Sequence, residues 1–234
     1  MATATVLSTN DASVLGALFD PESPLTNHAL KVSTLPTNIP REDLSHAQSL
    51  EKTALLSVNA EEPSLGDINS AISQLDELIE HYPTYASGYS NRAQAIRMRF
   101  NILSSPKELR LIISDLAAAI ALASPTNQSS PVSPIDAKVL ASAHTHRALL
   151  QYSASKDPEL LSVLNKYVEE MKGKDESMLE EMASHDFALG GKYGNTTARE
   201  MAVRTNPYAK LCGSIVKEAM RREVAEYAEA RESA

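Results

Sequence analysis

The sequence predicts an all-α protein: a right-handed solenoid of about three helix pairs with a C-terminal capping helix. Composition gives the first indication. Apolar residues make up 43% of the chain, aromatics only 5%, and there is no Trp. Ala and Leu dominate instead, which suits close-packed helices better than a β-sandwich. Eight Gly in 234 residues also leave few positions for tight hairpins. Periodicity gives the second. Ile68, Ala71, Ile72, Leu75, Leu78, Ile79 and Tyr82 advance in steps of three and four, which places them on one wide helical stripe. The third is recurrence, since such segments follow one another in pairs of similar length, the mark of a repeat array.

The elements follow in order. Residues 1–43 form an N-terminal segment. Within it Asp11 N-caps a short helix over 11–19, Asp20-Pro21 ends that helix, and a Pro- and Ser-containing linker runs to Pro40. A helix is expected over 42–58, broken by the Glu61-Glu62-Pro63 stretch. A second spans 67–82 and stops at Pro83. A third runs from about Tyr85 to Phe100, followed by a turn over 101–106. The helix over 107–123 is apolar on most sides, which predicts burial between neighbours. Residues 124–134, rich in Pro and Ser, read as a loop. Helices then follow over 135–155 and 159–171, the latter with Pro158 in its first turn. Further helices cover 175–189 and 196–203. Gly190-Gly191 and Gly194 end the 175–189 helix as a C-cap. A last helix starts after Asn206-Pro207.

The pattern within these helices is that of a tetratricopeptide repeat, which alternates aromatic, small and bulky positions and closes on Pro with a period of about 34 residues. Ala71-x3-Leu75, then Leu78 and Pro83, fits the second helix of one repeat. Tyr89-x2-Arg92-Ala93-x2-Ile96 fits the first helix of the next, without a gap. The pattern continues as Ile112-x3-Leu116, Ala119 and Pro125, then as Arg147-Ala148, then as Ala183-x3-Phe187. Its physics is steric. Small residues such as Ala71, Ala93, Ala148 and Ala183 sit where helices cross closely, and bulky ones such as Leu75, Leu116 and Phe187 fill the adjoining grooves. Three repeats result, over about 44–84, 85–125 and 135–205, with insertions at 124–134 and 155–174. The register of the first helix, between Leu50 and Ser57, stays open. Residues 206–234 form the cap: Pro207 starts it, and Tyr208, Leu211 and Ile215 form a stripe to be buried on the third repeat, because a repeat array leaves its last helix half uncovered.

Four stretches carry a resemblance to a known family: Asp11 to Pro24, Ala86 to Ala95, Ser114 to Ile120, and Asn206 to Cys212. In this order the chain resembles the tetratricopeptide repeat protein 36 family. The first and last stretches lie outside the repeats and are therefore more specific than the repeat itself. The departures are the 124–134 loop, the 155–174 insertion and the stretched first repeat. The resemblance implies three repeats, a protein-binding role without catalysis, binding to a heat-shock chaperone, and a link to tyrosine breakdown.

Charge excludes other classes. The formal net charge is −8 and no long basic run exists; Arg97, Arg99, Arg221 and Arg222 read as solvated positions. A nucleic-acid partner would demand a basic patch. The longest apolar run, 116–123, falls short of the ~20 residues that span a bilayer. The single cysteine, Cys212, allows no intrachain disulfide and lies on an apolar stripe, and Met1 to Asn10 lacks the pattern of a signal peptide. A cytoplasmic setting is expected.

The remaining candidates concern binding. Some tetratricopeptide domains hold the terminal carboxylate of a chaperone tail with Lys, Asn and Arg side chains from three repeats. Asn91 stands at the second-repeat position, but the third-repeat positions are Ser142 and His146. Lys52 is near the first-repeat position, and no Asn follows it at the needed spacing. One Asn and one His are too few donors to offset carboxylate desolvation, so tail binding is expected to be weak. The concave face near Asn91, Gln94 and His146 is the expected partner-binding surface. His144 and His146, two apart on a helix, point to different sides and make no metal site. Gly190 to Gly194 lacks the frame of a phosphate loop. No catalytic constellation and no cofactor site emerge. A structural scaffold subunit is the alternative to a binding module.

Overall fold

The computed structural model describes residues 38–99, 105–125, 132–206, 213 and 215–225. The expected 11–19 helix and the cap residues Pro207, Tyr208 and Leu211 lie outside the described residues, as does Cys212. The described elements are α1 (Arg41–Leu56), α2 (Leu65–His81), α3 (Ala86–Arg99), α4 (Pro106–Ala123), α5 (Pro134–Ala154), α6 (Pro158–Tyr167), a single 3-10 turn (Glu169–Met171), α7 (Glu176–Lys192) and α8 (Thr196–Thr205). Residues 215–225 are also helical. The architecture is an all-α helical solenoid.

Local chemistry starts these helices. Ser64 and Asp67 form a reciprocal capping box on α2: the Asp67 amide donates to Ser64 Oγ at 3.2 Å and the Ser64 amide donates to Asp67 Oδ2 at 3.0 Å. Pro106, Pro134 and Pro158 occupy first turns, where a missing N–H costs nothing. Ser133, Asp157, Asp175 and Asn195 accept from first-turn amides of α5, α6, α7 and α8.

Packing then runs along the chain: α1 on α2, α2 on α3, α3 on α4, α4 on α5, α5 on α7, and α7 on α8, with α3 also meeting α5. The pairs α1/α2, α3/α4 and α5/α7 form three layers. Ala71, Ala93, Ala148 and Ala183 are fully buried, and so are Leu75, Leu116 and Phe187. Tyr89 is half-buried, and its hydroxyl donates to the Pro83 carbonyl at 3.0 Å, tying α3 to the preceding turn.

The second and third layers share one internal link. Arg92 on α3 grips Asp115 on α4 through Nε at 2.8 Å and Nη2 at 2.6 Å. Arg147 on α5 grips Asp186 on α7 in the same two-pronged way, at 2.7 Å through each nitrogen. The first pair is 23 residues apart and the second 39, yet the geometry is the same. The inserted α6 and 3-10 turn are thus accommodated between α5 and α7 without disturbing how those two helices meet. Asp157 and Asn165 hold the insertion: the Asn165 side chain donates to the Lys174 carbonyl and accepts from the Lys174 amide.

Arg97 and Arg99, expected as solvated, are half-buried, and Arg99 pairs with Glu108; three further expectations need correction. The helix expected over 159–171 ends at Tyr167, because Val168 turns extended (φ −114°, ψ 114°) and buries its side chain. Gly190-Gly191 does not end α7. The helix continues to Lys192, and the two glycines admit its neighbours: a Cβ on Gly190 would lie 2.6 Å from Thr145 Oγ1 of α5 and 3.1 Å from Ala198 Cβ of α8, and one on Gly191 2.9 Å from Arg199 Cα of α8. Gly194 ends the helix instead, with φ +107° and the Asn195 amide bonded back to the Gly190 carbonyl. The third correction concerns Ile215, the one described residue of the expected cap stripe. Ile215 is 59% exposed. The side of the third layer that it was expected to cover is covered by α8, whose Ala198, Met201 and Ala202 pack with Ala148, Ala183 and Phe187.

Candidate binding groove

The groove is built by the first helices of the three layers, α1, α3 and α5. Ala54, Ala93 and Ala148 are fully buried on these helices and set a common register. The residues three positions before them are Glu51, Ser90 and Thr145. Those two before are Lys52, Asn91 and His146. A hollow of about 560 Å³ lies between α1, α3 and α5, with Gln48, Glu51 and Leu55 on one wall, Ser87, Asn91 and Gln94 on the floor, and Lys138, Val139 and Ser142 opposite.

Glu51 is its electrostatic centre. The Tyr85 hydroxyl donates to Glu51 Oε2 at 2.7 Å, Asn91 Nδ2 donates to Oε1 at 2.6 Å, and the Ser87 hydroxyl also donates to Oε1. All three donors are neutral, and no ion pair to Glu51 is formed among the described residues. Burial, and then the Glu51 charge, push the Tyr85 phenol well above its ordinary range, so it stays a donor. Gln94 is exposed on the same surface.

His146 lies in an adjoining hollow of about 390 Å³ between α5 and the turn that joins α7 to α8, with Tyr193 and Asn195 on its far side. Lys138 and Ser142 line both hollows. The structure therefore brings Asn91 and Gln94 together and sets His146 next door. The His146 Nδ1 is buried without a hydrogen-bond partner among the described residues. Burial, and then the nearby Arg97 charge, lower its pKa to about 4, so the ring is neutral at pH 7. His144 faces elsewhere: its Nδ1 meets Asp186 Oδ1 at 2.8 Å, and its ring stacks on Tyr193. Burial alone would raise the Asp186 carboxyl, but bonds from His144 and Arg147 hold it below the usual carboxylate range.

Sequence reasoning missed Glu51, Tyr85 and Ser87. The signal for Glu51 was its place three residues before Ala54, which becomes visible only when Ala54, rather than Ala47, is aligned with Ala93 and Ala148.

Comparison with known proteins places this geometry. No family model matches the chain, and no solved structure matches it. It is 39% identical to the L-tyrosine degradation gene cluster protein hmgX of Aspergillus fumigatus, over 93% of each chain. It is 26% identical to tetratricopeptide repeat protein 36 of Bos taurus over 90% of this chain and 93% of that one. To the Homo sapiens protein of the same name it is 24% identical, over 90% and 93%. The chain belongs to the tetratricopeptide repeat protein 36 family. Within this family member, the groove of α1, α3 and α5 has a carboxylate, Glu51, as its central charge. No helix among the described residues is long and apolar enough to cross a membrane.

Proposed function

We propose that this chain is a non-catalytic protein-binding module serving tyrosine breakdown, and that it holds a segment of its partner in the groove of α1, α3 and α5. The carrying observation is the groove itself. Asn91, Gln94 and Ser142 present uncharged hydrogen-bonding groups along a hollow of about 560 Å³, a size suited to side chains of an extended peptide. The link to tyrosine breakdown rests on the name of the Aspergillus relative. A cytoplasmic setting fits the single cysteine.

A heat-shock chaperone tail is the partner that the family resemblance suggests, and Glu51 argues for weak binding. A tail carboxylate hydrogen-bonded to Asn91 would have to approach the Glu51 carboxylate that already accepts from the same amide. Two carboxylates a few ångströms apart repel unless a cation lies between them. The groove therefore favours a partner segment with neutral or cationic side chains.

The test is capture from lysate on immobilised wild-type chain, in parallel with Ser142→Arg, which fills the groove from its half-exposed wall. Quantitative mass spectrometry should show a protein of tyrosine breakdown on the wild type and its loss on the variant. Equal recovery on both would remove the groove from the account. A scaffold role is the second reading. It is favoured by the exposed stripe Val216, Met220 and Val224 on the 215–225 helix, which a larger assembly would cover.

A further inference from the structure

A second cavity lies away from the groove. It measures about 470 Å³ and opens between α4, α5, α7 and the 3-10 turn of the insertion. Its apolar lining comes from Ile113, Ala117 and three thioethers, Met171, Met178 and Met182. Gln151 also lines it. This side chain is 2% exposed, and its Oε1 finds no hydrogen-bond partner among the described residues. A buried amide oxygen left unpaired is costly, so such a group marks a place where a donor belongs. Arg147 and Asp186 at the same wall are already committed to each other. They add polarity there without offering a free charge, while the ionisable side chains of Glu170, Lys174, Glu181 and His185 complete the lining.

These features select a ligand. Thioethers are polarizable and adapt their shape to flat rings, and sulfur–ring contacts are favourable. A cavity of this size takes a small molecule or one large side chain. The Gln151 oxygen asks for one hydroxyl or N–H at the buried end. We propose that this cavity is a second binding site, taking an aromatic ring that carries a hydrogen-bond donor, a phenol above all. The inserted segment makes the site: Met171 belongs to the 3-10 turn, and Asn165 holds that turn through Lys174. The site is independent of the groove, so one can exist without the other. The phenol has two sources, a free aromatic metabolite or a tyrosine side chain of a bound protein.

The experiment is a calorimetric or ligand-observed NMR titration of the full chain with p-cresol, and with toluene as the ring without a donor. The expected result is saturable binding of p-cresol, about tenfold tighter than toluene, which is the worth of one hydrogen bond. In Gln151→Leu the two ligands should bind alike. Ala117→Phe, which fills the cavity from its exposed rim, should abolish both. Free tyrosine and N-acetyl-tyrosinamide then separate the sources: tighter free amino acid means a metabolite site, and tighter amide means a protein side chain. Equal binding of p-cresol and toluene to the wild type would overturn the proposal. So would p-cresol binding that survives Ala117→Phe, or no binding at millimolar ligand.

Discussion

Asn91 donates its side-chain amide to the Glu51 carboxylate at 2.6 Å, joining α3 to α1 at the centre of the groove. The residue that would have to greet a partner's carboxylate is thus already serving one from its own chain. Charge reversal at that point is informative. In Glu51→Lys the groove gains a cation beside Asn91, and affinity for a short acidic peptide with a free C-terminus should rise by about tenfold or more. Calorimetry on wild type and variant measures it. A wild type that binds the peptide tightly, and loses it in Asn91→Ala, would contradict the part given to Glu51.

The paired links Arg92–Asp115 and Arg147–Asp186 differ from surface ion pairs in burial. The Asp186 side chain is 4% exposed and also meets His144. Asp186→Ala strands three donor nitrogens, one of His144 and two of Arg147, and chemical denaturation should show a loss of roughly 3–5 kcal/mol. Asp76, whose side chain is 55% exposed, bonds the same Arg92. Asp76→Ala should cost no more than about 1 kcal/mol.

His146 makes stability depend on pH. Its folded pKa is about 4 against an ordinary 6.5. Between those values the unfolded chain binds the proton and the folded chain does not. Stability therefore falls as pH drops from 6.5 towards 4, and this contribution is constant outside that window. The loss should be on the order of 1–2 kcal/mol, because the ring is partly exposed and screened. Denaturation midpoints across the window should fall less steeply in His146→Gln than in wild type.

The stripe of Ile215, Val216, Met220 and Val224 is exposed, at 57–68% for each residue. Deleting 213–234 should leave the melting temperature within about 2 °C of wild type, because every described residue of that stretch is exposed. A drop of about 5 °C or more would show that the helix covers the array after all.

Much of the fold was legible because its signals are local. The end of α2 is written in Pro83, and the stripe Ile68–Leu78 needs no knowledge of other helices. What was not legible depends on distant residues. Gly190-Gly191 reads as a helix stop until Ala198 and Arg199 of α8 are seen pressing on it. The cap was assigned to the stripe after Pro207 because a repeat array leaves its last helix half uncovered, yet Ala198, Met201 and Ala202 of α8 already pack with Phe187. Of the groove, Asn91 and Gln94 were readable from the repeat register. Glu51 was not, because α1 carries two buried alanines, Ala47 and Ala54, and no aromatic to choose between them.

Hydrogen–deuterium exchange shows where on the chain a partner protein lies, and the groove of α1, α3 and α5 is the place expected. Amide exchange would be measured on the chain alone and with the partner retained in the wild-type capture. A partner in the groove slows exchange in Arg41–Leu56, Ala86–Arg99 and Pro134–Ala154 and leaves Leu65–His81 and Pro106–Ala123 unchanged. Protection confined to those two outer helices, or to residues 215–225, would contradict it.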